Sequence, residues 1–164
     1  MVTQGKLTSE KILVELKKCG ISHFVFLTDT KLRFIHEALM REKVITPVPF
    51  CREGEGIAIA AGLVIGGKKP VLLFQNTGLY EAGDSIRTVA LELHLPLLMI
   101  ISYLGWRHDS PMTDSAAIFL EPTLNAWGIK YYLVKSDEDV ANISIGDKQA
   151  LENNTPVAIL IATE

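Results

Sequence analysis

Glu53 opens the run Glu53-Gly54-Glu55-Gly56-Ile57-Ala58-Ile59-Ala60-Ala61-Gly62. An acid at a helix start is favoured by the macrodipole. A helix so poor in bulk also lets another backbone approach closely, as at a tight helix or subunit contact. Further polar residues directly follow apolar runs: Thr28, Asp29 and Thr30 after Phe24–Leu27, and Arg52 with Glu53 after Ile45–Phe50. Gln75, Asn76, Thr77 and Gly78 follow Val71–Phe74, while Tyr103, Gly105, Trp106, Arg107 and His108 follow Leu97–Ser102. Capping accounts for Thr28, Asp29, Thr30 and Thr77. It accounts less well for Arg52, Glu53, Gln75 and Asn76. Arg52 and Arg107 are either solvated surface residues or grips for a carboxylate, phosphonate or sulfonate, which a guanidinium holds in bidentate fashion. His108 has the chemistry to shuttle protons, although a single loop histidine seldom does. His23, His36 and His94 fall inside predicted elements and read as packing or surface residues.

The elements that position these groups alternate along the chain. Thr8 or Ser9 caps a first helix with Ile12, Leu13 and Leu16 inward, and Gly20 ends it. A strand at Phe24–Leu27 precedes a helix carrying Leu32, Ile35, Leu39 and Met40. Ile45–Phe50 reads as a weaker strand, because Pro47 and Pro49 lack a donor. A helix spans Glu53–Ile65 and stops at Gly66-Gly67. Val71–Phe74 is a strand, and Gly78 opens a helix running to about Leu93. After strand Leu97–Ser102 comes a polar loop, Gly105–Asp114. A helix at Ala116–Trp127, a strand at Tyr131–Val134, a last helix introduced by a Ser136/Asp139 capping box and a strand at Val157–Ile161 complete the chain. Strands apolar on both faces, alternating with helices, predict a three-layer α/β/α domain on a six-stranded parallel sheet. Ligands in such sheets bind beyond the carboxyl ends of the strands.

With 164 residues, 48% hydrophobic and 21% charged, the chain reads as one soluble domain spanning residues 1–164. A net charge of −3 without a basic stripe argues against nucleic acid. Apolar runs such as Leu95–Tyr103 are too short to span a bilayer, and Met1–Lys6 has no apolar leader. Cys19 and Cys51 show no metal-ligand spacing and suit a reducing cytoplasm.

Glu53 with its small-residue helix, Gly62 nine positions on, and Lys69-Pro70-Val71-Leu72-Leu73-Phe74-Gln75-Asn76-Thr77-Gly78-Leu79 resemble the pyrimidine-binding domain of thiamine-diphosphate enzymes. The likeness is nearest to the sulfopyruvate and phosphonopyruvate decarboxylases. Leu97–Gly105 and Glu121-Pro122-Thr123-Leu124-Asn125-Ala126-Trp127-Gly128-Ile129 share it. The resemblance implies that Glu53 pairs with the cofactor's pyrimidine ring. The carboxyl hydrogen-bonds N1′ and favours the imino tautomer that serves as internal base. It implies catalytic roles for Glu53 and Asp29, Asp29 being equally well read as a cap. Cofactor contacts fall to Glu53, Gln75, Asn76, Thr77 and Gly78, and substrate contacts to Arg52, Arg107 and His108.

The family holds the diphosphate and its Mg2+ through a Gly-Asp-Gly motif in a second domain. Gly146-Asp147-Lys148 imitates it poorly, so the resemblance implies no metal site here and a partner beta subunit that holds diphosphate and Mg2+. The implied assembly is a hetero-oligomer, with contacts between copies of this chain also possible, and it acts on a small anionic 2-oxo acid. Where relatives have Gly-Leu-Gly-Asn, this chain has Gly78-Leu79-Tyr80-Glu81. Tyr80 and Glu81 in the pocket would suit a second reading, a binding or regulatory module that kept the fold without the reaction. A third reading is a flavodoxin-like or receiver-like domain with Asp29 as acceptor, though it lacks the acidic cluster expected there.

Overall fold

The computed structural model describes residues 6–163, so the reading of Met1–Lys6 falls, but for Lys6, outside the described residues. The strands are β1 (His23–Phe26), β2 (Thr46–Pro49), β3 (Pro70–Gln75), β4 (Leu98–Ser102), β5 (Lys130–Val134) and β6 (Val157–Ile161). They form one sheet in the order β2-β1-β3-β4-β6-β5, and every neighbouring pair is parallel. Side chains alternate across a pleated strand, and the apolar runs use both faces. Phe24, Phe26, Val71, Leu73, Leu98, Ile100, Ile159 and Ile161 pack on one side. Val25, Leu72, Phe74, Met99, Ile101, Ala158 and Leu160 pack on the other.

The first face is covered by α1 (Ser9–Lys18), α2 (Arg33–Arg41) and α8 (Asn142–Asn153), through Ile12, Leu16, Ile35, Leu39 and Ile143. The second is covered by α3 (Glu53–Ile65), α4 (Asn76–Glu81), α5 (Gly83–Ser85), a π-helical segment at Ile86–Leu91, α6 (Ser115–Ile118) and α7 (Leu120–Ala126). This is the three-layer α/β/α architecture. Its sixth strand lies between β4 and β5, unlike the 2-1-3-4-5 order of flavodoxin-like and receiver folds.

The two prolines of β2 put it at the edge of the sheet. Thr46 N and Phe50 N donate to Ser22 O and Phe26 O of the β1 side, at 2.9 and 3.1 Å. Gly56 of α3 lies against Phe50; a Cβ there would come within 2.6 Å of the ring.

Several predicted elements are subdivided. The helix foreseen from Gly78 to Leu93 starts earlier, at Asn76, and is divided into α4, α5 and the π segment. His94, read as lying inside a predicted element, falls outside every helix and strand, at φ 52°. The helix foreseen over Ala116–Trp127 divides at Phe119, because Pro122 has no N–H to give to Ile118. Asp139 does not cap α8. Its Oδ2 accepts from Lys135 N and Ser136 N, at 2.9 and 3.2 Å, in a turn before the helix. His36 packs its ring 4.7 Å from that of Phe26, as a packing residue should. Among the described residues, no helix is long and apolar enough to cross a membrane.

Candidate functional site

The chain leaves β1 for β2 on one side and then returns to β3 on the other. Their carboxyl ends therefore diverge at a topological switch point, where open α/β sheets bind ligands. A cleft of about 200 Å³ lies there, lined by Leu27, Thr28, Asp29, Thr30, Glu53, Gln75 and Thr77. Residues distant in sequence thus meet because three strands end side by side.

Glu53 is the first residue of α3 and is half-buried. Its side chain rests on Gly78, where a Cβ would come within 2.5 Å of Glu53 Cγ and Oε1. A glycine at 78 therefore leaves the room the carboxyl occupies. Among the described residues that carboxyl has no hydrogen-bond or ion-pair partner. Glu81 secures the backbone on either side of it. Gly54 N donates to Glu81 Oε2 at 2.8 Å, and Arg52 Nε and Nη2 donate to Glu81 Oε1 at 3.0 and 2.7 Å. The Gly54 N–H, and next the Arg52 guanidinium, hold the Glu81 carboxyl below the usual glutamate range. Glu55, the neighbouring acid, accepts from Cys51 N at 3.0 Å.

Asp29 is tied on one oxygen only. Its Oδ1 accepts from Lys31 N and from Gln75 Nε2, each at 3.2 Å. Oδ2 is buried and has no partner. Gln75 Oε1 accepts from Thr77 Oγ1 at 2.8 Å, which continues the polar wall. Asp29 therefore makes a local turn but does not cap α2, as the capping reading had expected it to, since the N-cap is Leu32; its second oxygen stays buried and unpaired beside the cleft. A buried acceptor without a donor costs roughly 1–3 kcal/mol until a donor meets it.

Other candidate residues are employed elsewhere. Arg52 is paired with Glu81 and lines a separate surface depression with Glu55, Asp84 and Ser85, so it does not face the cleft as an anion grip. Asn76 is fully buried. Its Nδ2 donates to Leu104 O at 2.9 Å and its Oδ1 accepts from Thr77 N at 3.1 Å, so it stitches the turn after β3 to the loop after β4 and offers nothing to a ligand. Tyr80 and Glu81 stay out of the cleft: Tyr80 donates its hydroxyl to Ala116 O at 2.8 Å, and Glu81 serves the start of α3. The feature that suited a module without activity is thereby absorbed. His108 pairs with Asp109 and stands edge-on to Trp106, outside the cleft. Arg107 lines a second cleft together with Lys31.

Gly146 and Asp147, the imitation of the metal-binding pair, lie within α8. A Cβ on Gly146 would come within 2.9 Å of Ile159, and Asp147 is ion-paired to Lys69 at 2.7 Å. Both serve helix-to-sheet packing. Lys31 escaped the sequence reading: it follows capping residues and gives no sign that it reaches Thr163.

An all-parallel sheet between two helical layers, with a polar cleft at its switch point, defines the chain as a three-layer α/β/α domain. Along most of its length it is similar to sulfopyruvate decarboxylase alpha subunits. It is 29% identical over 158 residues to the "Sulfopyruvate decarboxylase subunit alpha" of Methanococcus maripaludis, covering 93% of either chain. To the protein of that name from Methanothermobacter thermautotrophicus it is 33% identical over 98 residues, 60% of this chain and 59% of that one. Against the "Sulfopyruvate decarboxylase" of Methanosarcina acetivorans it is 22% identical over 154 residues, 93% of this chain but 39% of that longer protein. No family model matches the chain. The likeness read from Glu53 and the segment after it thus extends over nearly the whole sequence.

Proposed function

We propose that the chain is the pyrimidine-binding subunit of a thiamine-diphosphate-dependent decarboxylase, cytoplasmic and acting on a small 2-oxo acid with a second anionic group. Sulfopyruvate and phosphonopyruvate are the substrates of that kind. One observation carries the reading: Glu53 presents a half-buried carboxyl, without a partner among the described residues, at the switch-point cleft, seated on a glycine that leaves room for it. The similarity to sulfopyruvate decarboxylase alpha subunits supports the choice of substrate class.

The cleft suits an aminopyrimidine on its donors and acceptors. Glu53 and Asp29 Oδ2 are acceptors that no donor among the described residues fills, and Leu27 supplies an apolar flank. Glu53, Gln75 and Thr77 are the residues that would hold the ring. When bound, thiamine diphosphate supplies the electron sink for the pair left by departing carbon dioxide. Glu53 would hydrogen-bond N1′ of the ring through a carboxyl oxygen. Asp29 directs its open oxygen at a donor from the ring or the substrate. Gln75 keeps Asp29 in place by donating to its other oxygen. The diphosphate and Mg2+ fall to a separate beta subunit. That division agrees with relatives named as alpha subunits, and with a longer relative of which this chain matches a part.

The test combines the chain with a partner carrying the Gly-Asp-Gly motif, thiamine diphosphate and Mg2+. Carbon dioxide should be released from sulfopyruvate or phosphonopyruvate, and Glu53→Gln should slow this by about 100-fold or more. An undiminished rate in Glu53→Gln removes the role given to that carboxyl. No release of carbon dioxide by a folded complex removes the decarboxylase reading.

A further inference from the structure

Asp29 and Thr30 line the first cleft, and the next residue, Lys31, lines a second of about 270 Å³ together with Leu104, Gly105, Trp106 and Arg107. Two cations line it and, among the described residues, no carboxylate does. Lys31 starts at the end of β1, and its Nζ donates to Thr163 O at 3.3 Å. Thr163 lies past β6, three places along in the order β1-β3-β4-β6, so the lysine lies across the carboxyl edge of the sheet. A carbonyl oxygen accepts the hydrogen bond without cancelling the charge. Arg107 is exposed and has no ion-pair partner among the described residues.

The opposite wall is firmly held. Asn76 Nδ2 donates to Leu104 O at 2.9 Å, and Trp106 N donates to Tyr103 O at 3.1 Å. Gly105 takes φ +84°, and a Cβ there would come within 2.8 Å of Asp114. Lys135 stands 5.9 Å from the centre of the Trp106 ring and adds positive charge to the same loop. Cations without an ion-pair partner among the described residues, set along a fixed wall, draw a small anion with several oxygens, which an ammonium and a guanidinium can share.

We infer that this second cleft is the subsite for the substrate's second anionic group, a sulfonate or phosphonate, with Lys31 and Arg107 as the residues that set specificity. The identity of the substrate rests on the decarboxylase reading; the affinity of the cleft for such an anion does not. The 2-oxo group then lies toward Asp29 and Glu53, and the anionic tail toward Lys31 and Arg107. A 2-oxo acid without that tail leaves the two cations unanswered.

Two measurements separate this inference from the reading beneath it. The first titrates sulfoacetate, with acetate for comparison, into the full chain at constant ionic strength. It follows the Trp106 indole and Arg107 Nε–H cross-peaks by 1H–15N NMR, the indoles being told apart with Trp106→Phe. Saturable shifts are expected with sulfoacetate, and about tenfold weaker binding in Lys31→Gln and in Arg107→Gln, the loss of one charge-assisted contact. A response that does not saturate, or is unchanged in the double variant, overturns the subsite. The second compares kcat/KM for sulfopyruvate and pyruvate in the assembled complex. Lys31→Gln should lower the first about tenfold and spare the second. Equal losses on both substrates would assign Lys31 to folding or to a carboxylate of the partner, and overturn the inference. Saturable sulfoacetate binding by a chain whose complex decarboxylates nothing would uphold the subsite while removing the decarboxylase.

Discussion

At the amino end of the sheet, Lys69 Nζ meets Asp147 Oδ2 at 2.7 Å. Ser22 Oγ accepts from Lys69 N at 3.0 Å and donates to Lys69 O at 3.2 Å. Cys19 lies beside this cluster, and burial, with the Asp147 charge second, pushes its thiol up to about 12. At the carboxyl end of the same strands, among the described residues, Glu53 has no partner, Asp29 has one unpaired buried oxygen, and Lys31 and Arg107 share a cleft that no carboxylate lines. The amino end satisfies its polar groups internally and contributes stability. The carboxyl end leaves groups whose complement must come from another molecule. Unmet valence, more than residue type, separates a ligand site from a structural cluster here.

The largest effect that would sharpen this contrast is expected from Gly78→Ala. The new methyl group displaces a flexible side chain, not backbone, so Glu53 swings away and the fold survives. Misplacing a reacting group by about 1 Å costs about 100-fold. Decarboxylation by the complex should fall by that order while the urea midpoint barely moves. A matching collapse of stability would assign Gly78 to packing. At the other end, Lys69→Met leaves Asp147 buried without its cation. Because Lys69 is partly exposed, the loss should be about 2 kcal/mol, below the range for fully buried pairs. It should appear in urea unfolding, with the sulfoacetate response of Trp106 unaltered; a lost response would mean that the two ends are coupled.

The smallest effect concerns Glu81, which belongs to both categories, being paired internally yet placed beside Glu53. Its carboxyl is depressed, first by the Gly54 N–H and then by Arg52. The stabilisation it gives is therefore fully present above the usual glutamate pKa and fades as acidity passes its lowered value. The group is exposed enough that the whole effect should stay below about 1 kcal/mol. Unfolding free energies taken from about pH 6 to pH 3 should fall less steeply in Glu81→Gln. An unchanged slope would mean that the contacts of Arg52 and Gly54 do not hold the start of α3.

The layered fold was legible because Val71–Phe74, Leu98–Ile101 and Val157–Ile161 are apolar on both faces, which a sheet covered on one side would not tolerate. Glu53, Asp29, Gln75 and Thr77 were legible as a group because each follows a strand, and parallel strands bring their ends together. What each side chain touches was not legible. Arg52 and Glu81 meet across 29 positions, and Asn76 and Leu104 across 28; nothing local announces either pair. The same holds for Lys31, whose partner lies 132 positions away. The division at Phe119 was announced by Pro122, a signal the sequence reading passed over, whereas the one at Ala82 was hidden. There the apolar period continues, and backbone hydrogen bonding decides where a helix ends.

Strand β2 has one further consequence. Residues 46 and 50 turn their amides toward β1, so the outward margin carries positions 47 and 49, both proline. A foreign strand arriving there meets carbonyl oxygens without a single reciprocal hydrogen to match them. That border is sealed against fibril-like stacking and strand exchange. Association along that border must be made by side chains, surfaces that choose a companion by shape and charge.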